Sequence, residues 1–198
     1  MLDYSAGFTS EGWFQNEMYI VLQLKKSGLS RKEILNDIIE KNSFQMRSES
    51  GIRKRFQMVY RRSETFNDEL IQFYLMGSRH DQKALLLYSY LRCYRIPYEF
   101  YLEVIKYNYL NNRPLIQTVE IDYFIERKET ESESVANWRP DTKKRLRSSI
   151  LLFFRESGML QKKNSVTYEI SPIHMSTKLK EYAKEYDKLL YSFSELSR

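Results

Sequence analysis

The stretch from Trp138 to Pro172 constrains the fold of this chain more than any other, because a helix start, a helix stop and a strand pattern follow one another without a gap. Pro140 suits the first helical position, where its missing N–H costs nothing, and Gly158 suits the left-handed cap just past the end. Between them, Leu146, Ile150, Phe153 and Phe154 make one apolar helical face, with Lys144, Arg147 and Ser148 on the other side. A short apolar run, Met159 and Leu160, and an alternating one, Val166, Tyr168 and Ile170, flank Gln161 to Ser165, where Asn164 favours a turn. A helix followed by a basic-tipped hairpin is how a winged helix looks in sequence. In such a module the helix can lie in a DNA major groove while Lys162 and Lys163 reach a neighbouring phosphate. The alternative is a small helix-plus-hairpin packing unit whose lysines are simply solvated.

Charge distribution sharpens that choice. The 198 residues carry a net charge of +6, from 32 basic and 26 acidic side chains, an excess too modest to decide anything by its size. Arg139 to Lys163 holds eight basic residues against two acids, and Arg47 to Arg62 holds six against one. Between them, Val119 to Val135 carries six acids against Arg127 and Lys128. The positive charge is thus expected in two separate patches.

The N-terminal third reads as three short helices. Residues 10–27 form an amphipathic helix with Ser10 as its cap and Gly28 as its stop; Ser30 and Glu33 make a capping-box pair that opens a second over 31–41. A third, about 49–62, turns Ile52, Phe56, Val59 and Tyr60 inward and sets Lys54, Gln57 and Arg61 on the opposite face, beside Arg53. Three helices with a basic third resemble a helix-turn-helix bundle, although the connection before the third is long and Gly51 weakens its start. The middle is structural in character: Asn67, Asp81 and Pro97 stand near three helix starts, Asn111 to Pro114 marks an exit, and Thr118 to Glu129 is an acidic helix. Several of these helices are apolar on more than one face, so at least one should run through the centre. Ser176 caps a last helix whose stripe runs from Leu179 to Phe193. The expected architecture is mostly α, a helical bundle with winged-helix or helix-turn-helix-like subdomains and one small β-hairpin. The segments are 1–66, a central packing region 67–130, and a winged-helix-like 131–198, together one compact unit.

Nothing in the sequence supports catalysis. Two histidines, His80 and His174, have no second histidine or cysteine at metal-ligand spacing, and no phosphate-binding glycine loop, H-E-x-x-H or G-x-S-x-G occurs. No metal or cofactor is expected. The single cysteine, Cys93, excludes an internal disulfide and fits a reducing cytoplasm. With no signal-peptide pattern and no apolar run beyond Ile150 to Phe154 in length, no membrane segment is expected. Sixteen tyrosines and eleven phenylalanines either pack with wet hydroxyls or stack on bases; packing is the commoner use.

Three stretches carry a family resemblance: YSAGFT (4–9), GLSRKEILNDIIEKNSFQMRS (28–48) and NWRPDTKKRLRSSILLFFRESGML (137–160). Together they resemble the BrxA family of BREX bacteriophage-exclusion systems, over nearly the whole chain. The resemblance implies a non-enzymatic, cytoplasmic, DNA-binding component with winged-helix character and some likeness to the NusB fold. It also implies partners among the ATPase, DNA methyltransferase and phosphatase-like proteins of such loci. A description of the family as inner-membrane finds no support here. By motif, the resemblance carries nucleic-acid binding onto Arg139, Lys143, Lys144, Arg145 and Arg147; periodicity favours Lys144 and Arg147.

Two readings result. In one, duplex DNA is bound mainly through phosphates by Arg53, Lys54, Gln57 and Arg61 in one patch and by Lys144, Arg147, Lys162 and Lys163 in the other. In the second, the chain is an assembly adaptor that uses its aromatic surface and the acids from Glu126 to Glu133. RNA binding rests on the fold analogy alone.

Overall fold

A computed structural model describes residues 3–195 of the chain. Several helices are set by local signals already visible in the sequence, and their caps show why they begin where they do. Ser30 and Glu33 close a reciprocal capping box on α2 (Arg31–Glu40), and Ser48 caps α3 (Glu49–Ser63) by accepting from the Gly51 N–H. Asn67 caps α4 (Asp68–Met76), and Ser78 and Asp81 box the start of α5 (Arg79–Cys93). The first helix, α1 (Gln15–Lys26), does not start at Ser10. Ala6–Ser10 is a 3-10 turn capped by Ser5, and the chain enters α1 through Phe14 in the left-handed region at φ 50°.

The central helix is α5. Every residue from Ala84 to Leu91 on it is buried, so its polar members need internal partners: the Ser89 hydroxyl donates to the Leu86 carbonyl. Helices α3, α4, α6 (Arg95–Phe100) and α10 (Pro140–Glu156) pack around it. After α6 the helix widens into a π segment, Tyr101–Lys106, and closes as α7, Tyr107–Leu110. Aromatic rings fill the junctions. Tyr90 of α5 stacks on Phe153 of α10 with ring centres 3.6 Å apart, and Phe100 meets Phe124 and Phe154 edge-on. One hydrophobic cluster runs without interruption from Phe8 to Phe193.

The expected hairpin is present but has a third strand. β2 (Leu160–Lys162) and β3 (Thr167–Ile170) form the hairpin, and β1 (Leu115–Gln117) pairs antiparallel with β3, giving the order β1-β3-β2. β1 pairs Ile116 with Tyr168 and is fastened at its ends by Ile170 N–H to the Pro114 carbonyl and Thr118 N–H to the Val166 carbonyl. Three residues between a helix exit and the helix start at Thr118 show no alternation to read. β1 leads directly into α8 (Thr118–Glu131), which a one-turn helix α9 (Glu133–Ala136) connects to α10.

The last helix is two. Asp187, at φ −144°, breaks it into α11 (Thr177–Tyr186) and α12 (Lys188–Glu195); its Oδ1 accepts the Leu190 N–H and its Oδ2 the Tyr88 hydroxyl. The break turns α12 back onto α5, where Leu190 and Phe193 join the core.

Candidate nucleic-acid interface

Helix α10 is built as its sequence requires. Pro140 stands in its first turn, Leu146, Ile150, Phe153 and Phe154 are buried, and Gly158 takes φ 87° past the end. Lys144 and Arg147 therefore face outward. What they face is acidic: α8 lies alongside α10, and a groove of about 670 Å³ separates Asp122, Glu126 and Glu129 on one bank from Lys143, Lys144, Arg147 and Arg155 on the other. Arg147 makes a two-pronged ion pair with Asp122, through Nε at 2.8 Å and through Nη2. Lys143 donates to Glu129 and to the Ala136 carbonyl, each at 2.8 Å. The acidic and basic stretches were expected as separate patches along the chain. The fold sets them side by side and partly neutralises both.

The hairpin and α3 divide in the same way. Lys163 pairs with Glu169 across the hairpin, whereas Lys162 has no ion-pair partner among the described residues. On α3, Arg53 pairs with Glu49 one turn back, while Lys54 and Gln57 are exposed and unpaired among the described residues. Arg61 is not a free surface cation: it donates to Glu11 at 2.9 Å and to the Tyr94 hydroxyl, and lies over the Tyr94 ring. Arg139, Lys144 and Arg145 are exposed with no ion pair among the described residues. Of the eleven residues singled out in the sequence, the six free ones are thus Lys54, Gln57, Arg139, Lys144, Arg145 and Lys162. No residue of α3 lines the groove.

Two arginines outside that set have contrasting places in the fold. Arg155 lines the groove, and its helical spacing from Lys144, Ser148 and Leu151 was readable in the sequence. Arg62 was counted as part of a basic patch, yet its side chain is fully buried. It donates to Ser89 Oγ at 3.1 Å and to the carbonyls of Gly12 (3.0 Å), Trp13 (3.4 Å) and Leu86 (3.2 Å), with Glu11 Oε2 at 3.8 Å and the Phe153 ring beneath it. Burial pushes its guanidinium below its ordinary value, and Glu11 opposes that shift.

The acids proposed for an adaptor surface are also partly used. Lys128 is nearly buried and reaches Glu99 and Glu103 at 2.9 Å and Glu131 at 2.8 Å. Burial opposes its charge, but the hydrogen bonds it donates to these carboxylates outweigh burial and hold its ammonium well above the ordinary lysine range. Arg127 takes Glu103 and Glu131, leaving Glu126 and Glu133 without an ion pair among the described residues. The two histidines, remote in sequence, meet edge-on with ring centres 6.3 Å apart. No group of three metal-ligating side chains occurs among the described residues, and no helix there is long and apolar enough to cross a membrane.

These features define the class: a mostly α-helical protein with one small antiparallel sheet and a charge-paired groove between two of its helices. The same fold is seen in the crystal structure of an uncharacterized protein from Magnetospirillum magneticum, with a TM-score of 0.79, 18% identity and 96% of each chain covered. The sequence pattern of the BrxA family matches residues 2–187, and the chain belongs to that family, a component of BREX phage-defence systems. A relative, the BREX protein BrxA from Bacillus cereus (strain H3081.97), is 29% identical over 145 residues, 73% of this chain and 72% of that protein.

Proposed function

We propose that the chain is a non-enzymatic BREX component that binds duplex DNA, with α10 and the β2–β3 hairpin acting as a winged helix and the outer face of α3 as a second contact. The observation that carries the reading is the set of exposed, unpaired cations on those elements: Arg139, Lys144 and Arg145 at the start of α10, Lys162 on the hairpin, and Lys54 on α3. The order helix, β1, α8, α10, β2, β3, with β3 between the other two strands, supports the same assignment. Lys143, Arg147 and Lys163 already satisfy acids, so their part in binding DNA requires exchanging a carboxylate for a phosphate. Contact is then chiefly with phosphates and carries little base preference.

Titration of a labelled random-sequence duplex at several salt concentrations tests this. Five free cations each neutralising one phosphate give a log–log salt slope of roughly −4.5. The variant Lys144→Glu/Arg145→Glu should lower affinity on every sequence with the circular dichroism spectrum unchanged. It is preferable to Arg147→Glu, which would set a second acid against Asp122. Absence of binding at low salt, or binding indifferent to the double variant, refutes the assignment of α10. Association with other proteins of the locus is the second reading, favoured by two exposed acids with no ion pair among the described residues, Glu126, which lines the groove, and Glu133.

A further inference from the structure

On the side of the molecule formed by α4 and α11, a surface cavity of about 530 Å³ opens at the α11–α12 break. Its walls include three tyrosine rings, Tyr88, Tyr182 and Tyr186, and two carboxylates, Glu69 and Asp187, but no lysine or arginine. The rings are held in place: Asn67 Nδ2 donates to the Tyr182 hydroxyl at 2.7 Å, and the Tyr182 ring centre lies 5.1 Å from that of Tyr186 and 5.5 Å from that of Phe73. Asp187 is held equally firmly, accepting from the Tyr88 hydroxyl at 2.6 Å and the Leu190 N–H at 2.9 Å. Those donors are neutral, so its charge is uncompensated. Glu69 has no ion pair among the described residues. Arg92 lies 5.9 Å over the Tyr88 ring and does not line the cavity.

In a chain of net charge +6, two carboxylates with no ion pair among the described residues, set beside clustered π faces, form a local negative site. Ring faces and carboxylates both attract cations, and neither attracts a phosphate. A second groove of about 540 Å³ shares Glu69 with it and is lined by Phe73 and the 78% exposed Met76, with Asp81 and one cation, Lys178, also on its walls. We propose that this face docks a basic amphipathic segment of a partner protein, whose arginine or lysine enters the tyrosine–carboxylate cavity while a neighbouring apolar side chain covers Phe73 and Met76. The site is remote in chemistry from the cationic faces and does not depend on the DNA reading.

A titration of the intact protein with a hexaarginine peptide, followed by NMR of the tyrosine ring protons, tests the cationic half. Hexaglutamate serves as the control. The expected result is saturable shifts centred on Tyr88, Tyr182 and Tyr186, absent with hexaglutamate. Tyr186 is 66% exposed and Glu69 is on the surface, so Tyr186→Ala and Glu69→Gln should keep the fold while each weakens binding roughly two- to five-fold. Because the whole protein repels a cationic peptide, saturation requires a local site. No saturable shift, or saturation that neither variant weakens, overturns the proposal.

Discussion

Replacing Arg62 by methionine should cost this protein about 3–5 kcal/mol, a large part of the roughly 5–15 kcal/mol that keeps a domain folded. The figure follows from what the side chain satisfies. Leu86 keeps a donor in Ser89 Oγ, at 2.8 Å, but the Gly12 and Trp13 carbonyls depend on the guanidinium. Each orphaned acceptor costs about 1–3 kcal/mol. Glu11, whose side chain has no exposed surface, retains Arg61 and Tyr94 on Oε1, but Oε2 has no hydrogen-bond donor and only Arg62 nearby. The methionine side chain returns some apolar burial, which keeps the total below the sum of these terms. Adding Glu11→Gln to Arg62→Met should recover about 1–2 kcal/mol relative to additivity, since it removes the stranded charge. Guanidinium unfolding followed by tryptophan fluorescence suits the measurement: Trp13 stands edge-on to Phe153, which lies beneath Arg62. A loss below about 1 kcal/mol for Arg62→Met would refute the account of Arg62 as the tie between the N-terminal turn, α3 and α5.

Three further outcomes follow from the same geometry. Burial pushes the Cys93 thiol up to about 11, so at about pH 8 its alkylation should run roughly a hundredfold slower than that of a free cysteine; labelling at an ordinary rate contradicts this. Burial would raise the Glu99 carboxyl, but hydrogen bonds from Arg95, Lys128 and Tyr4 outweigh it and hold it below the usual carboxylate range. Its contribution is therefore present above its unfolded value, about 4.3, and is lost as pH falls through the lower folded value. Thermal scans across that range should show a stability loss that Glu99→Gln reduces, and equal slopes would count against it. Asp187→Ala removes the α12 cap and the acceptor of the Tyr88 hydroxyl, and should cost about 1–2 kcal/mol in denaturant unfolding; a neutral change would mean that the α11–α12 break is held by packing alone.

Local order was largely legible in the sequence. Ser30 with Glu33, Asn67, Pro140, Gly158 and Ser176 each act on backbone groups within a few residues, so side-chain chemistry alone determined where those helices begin and end. The apolar face of α10 and the family membership were readable for the same reason: helical spacing and a run of residue types survive without the fold. The third strand was not readable, because β1 has three residues and exists through its pairing with β3, about fifty positions later. The break at Asp187 was hidden because the apolar stripe continues across it, while its reason, the Tyr88 hydroxyl, lies on α5. Charge was the least readable property of all. A cation's availability depends on which acid reaches it, and only the tertiary structure laid α8 against α10, committing Lys143 and Arg147 while leaving Lys144 and Arg145 free. The same packing took Arg62 from an apparent basic patch into the core, because a guanidinium can be buried wherever enough carbonyls and a carboxylate converge on it.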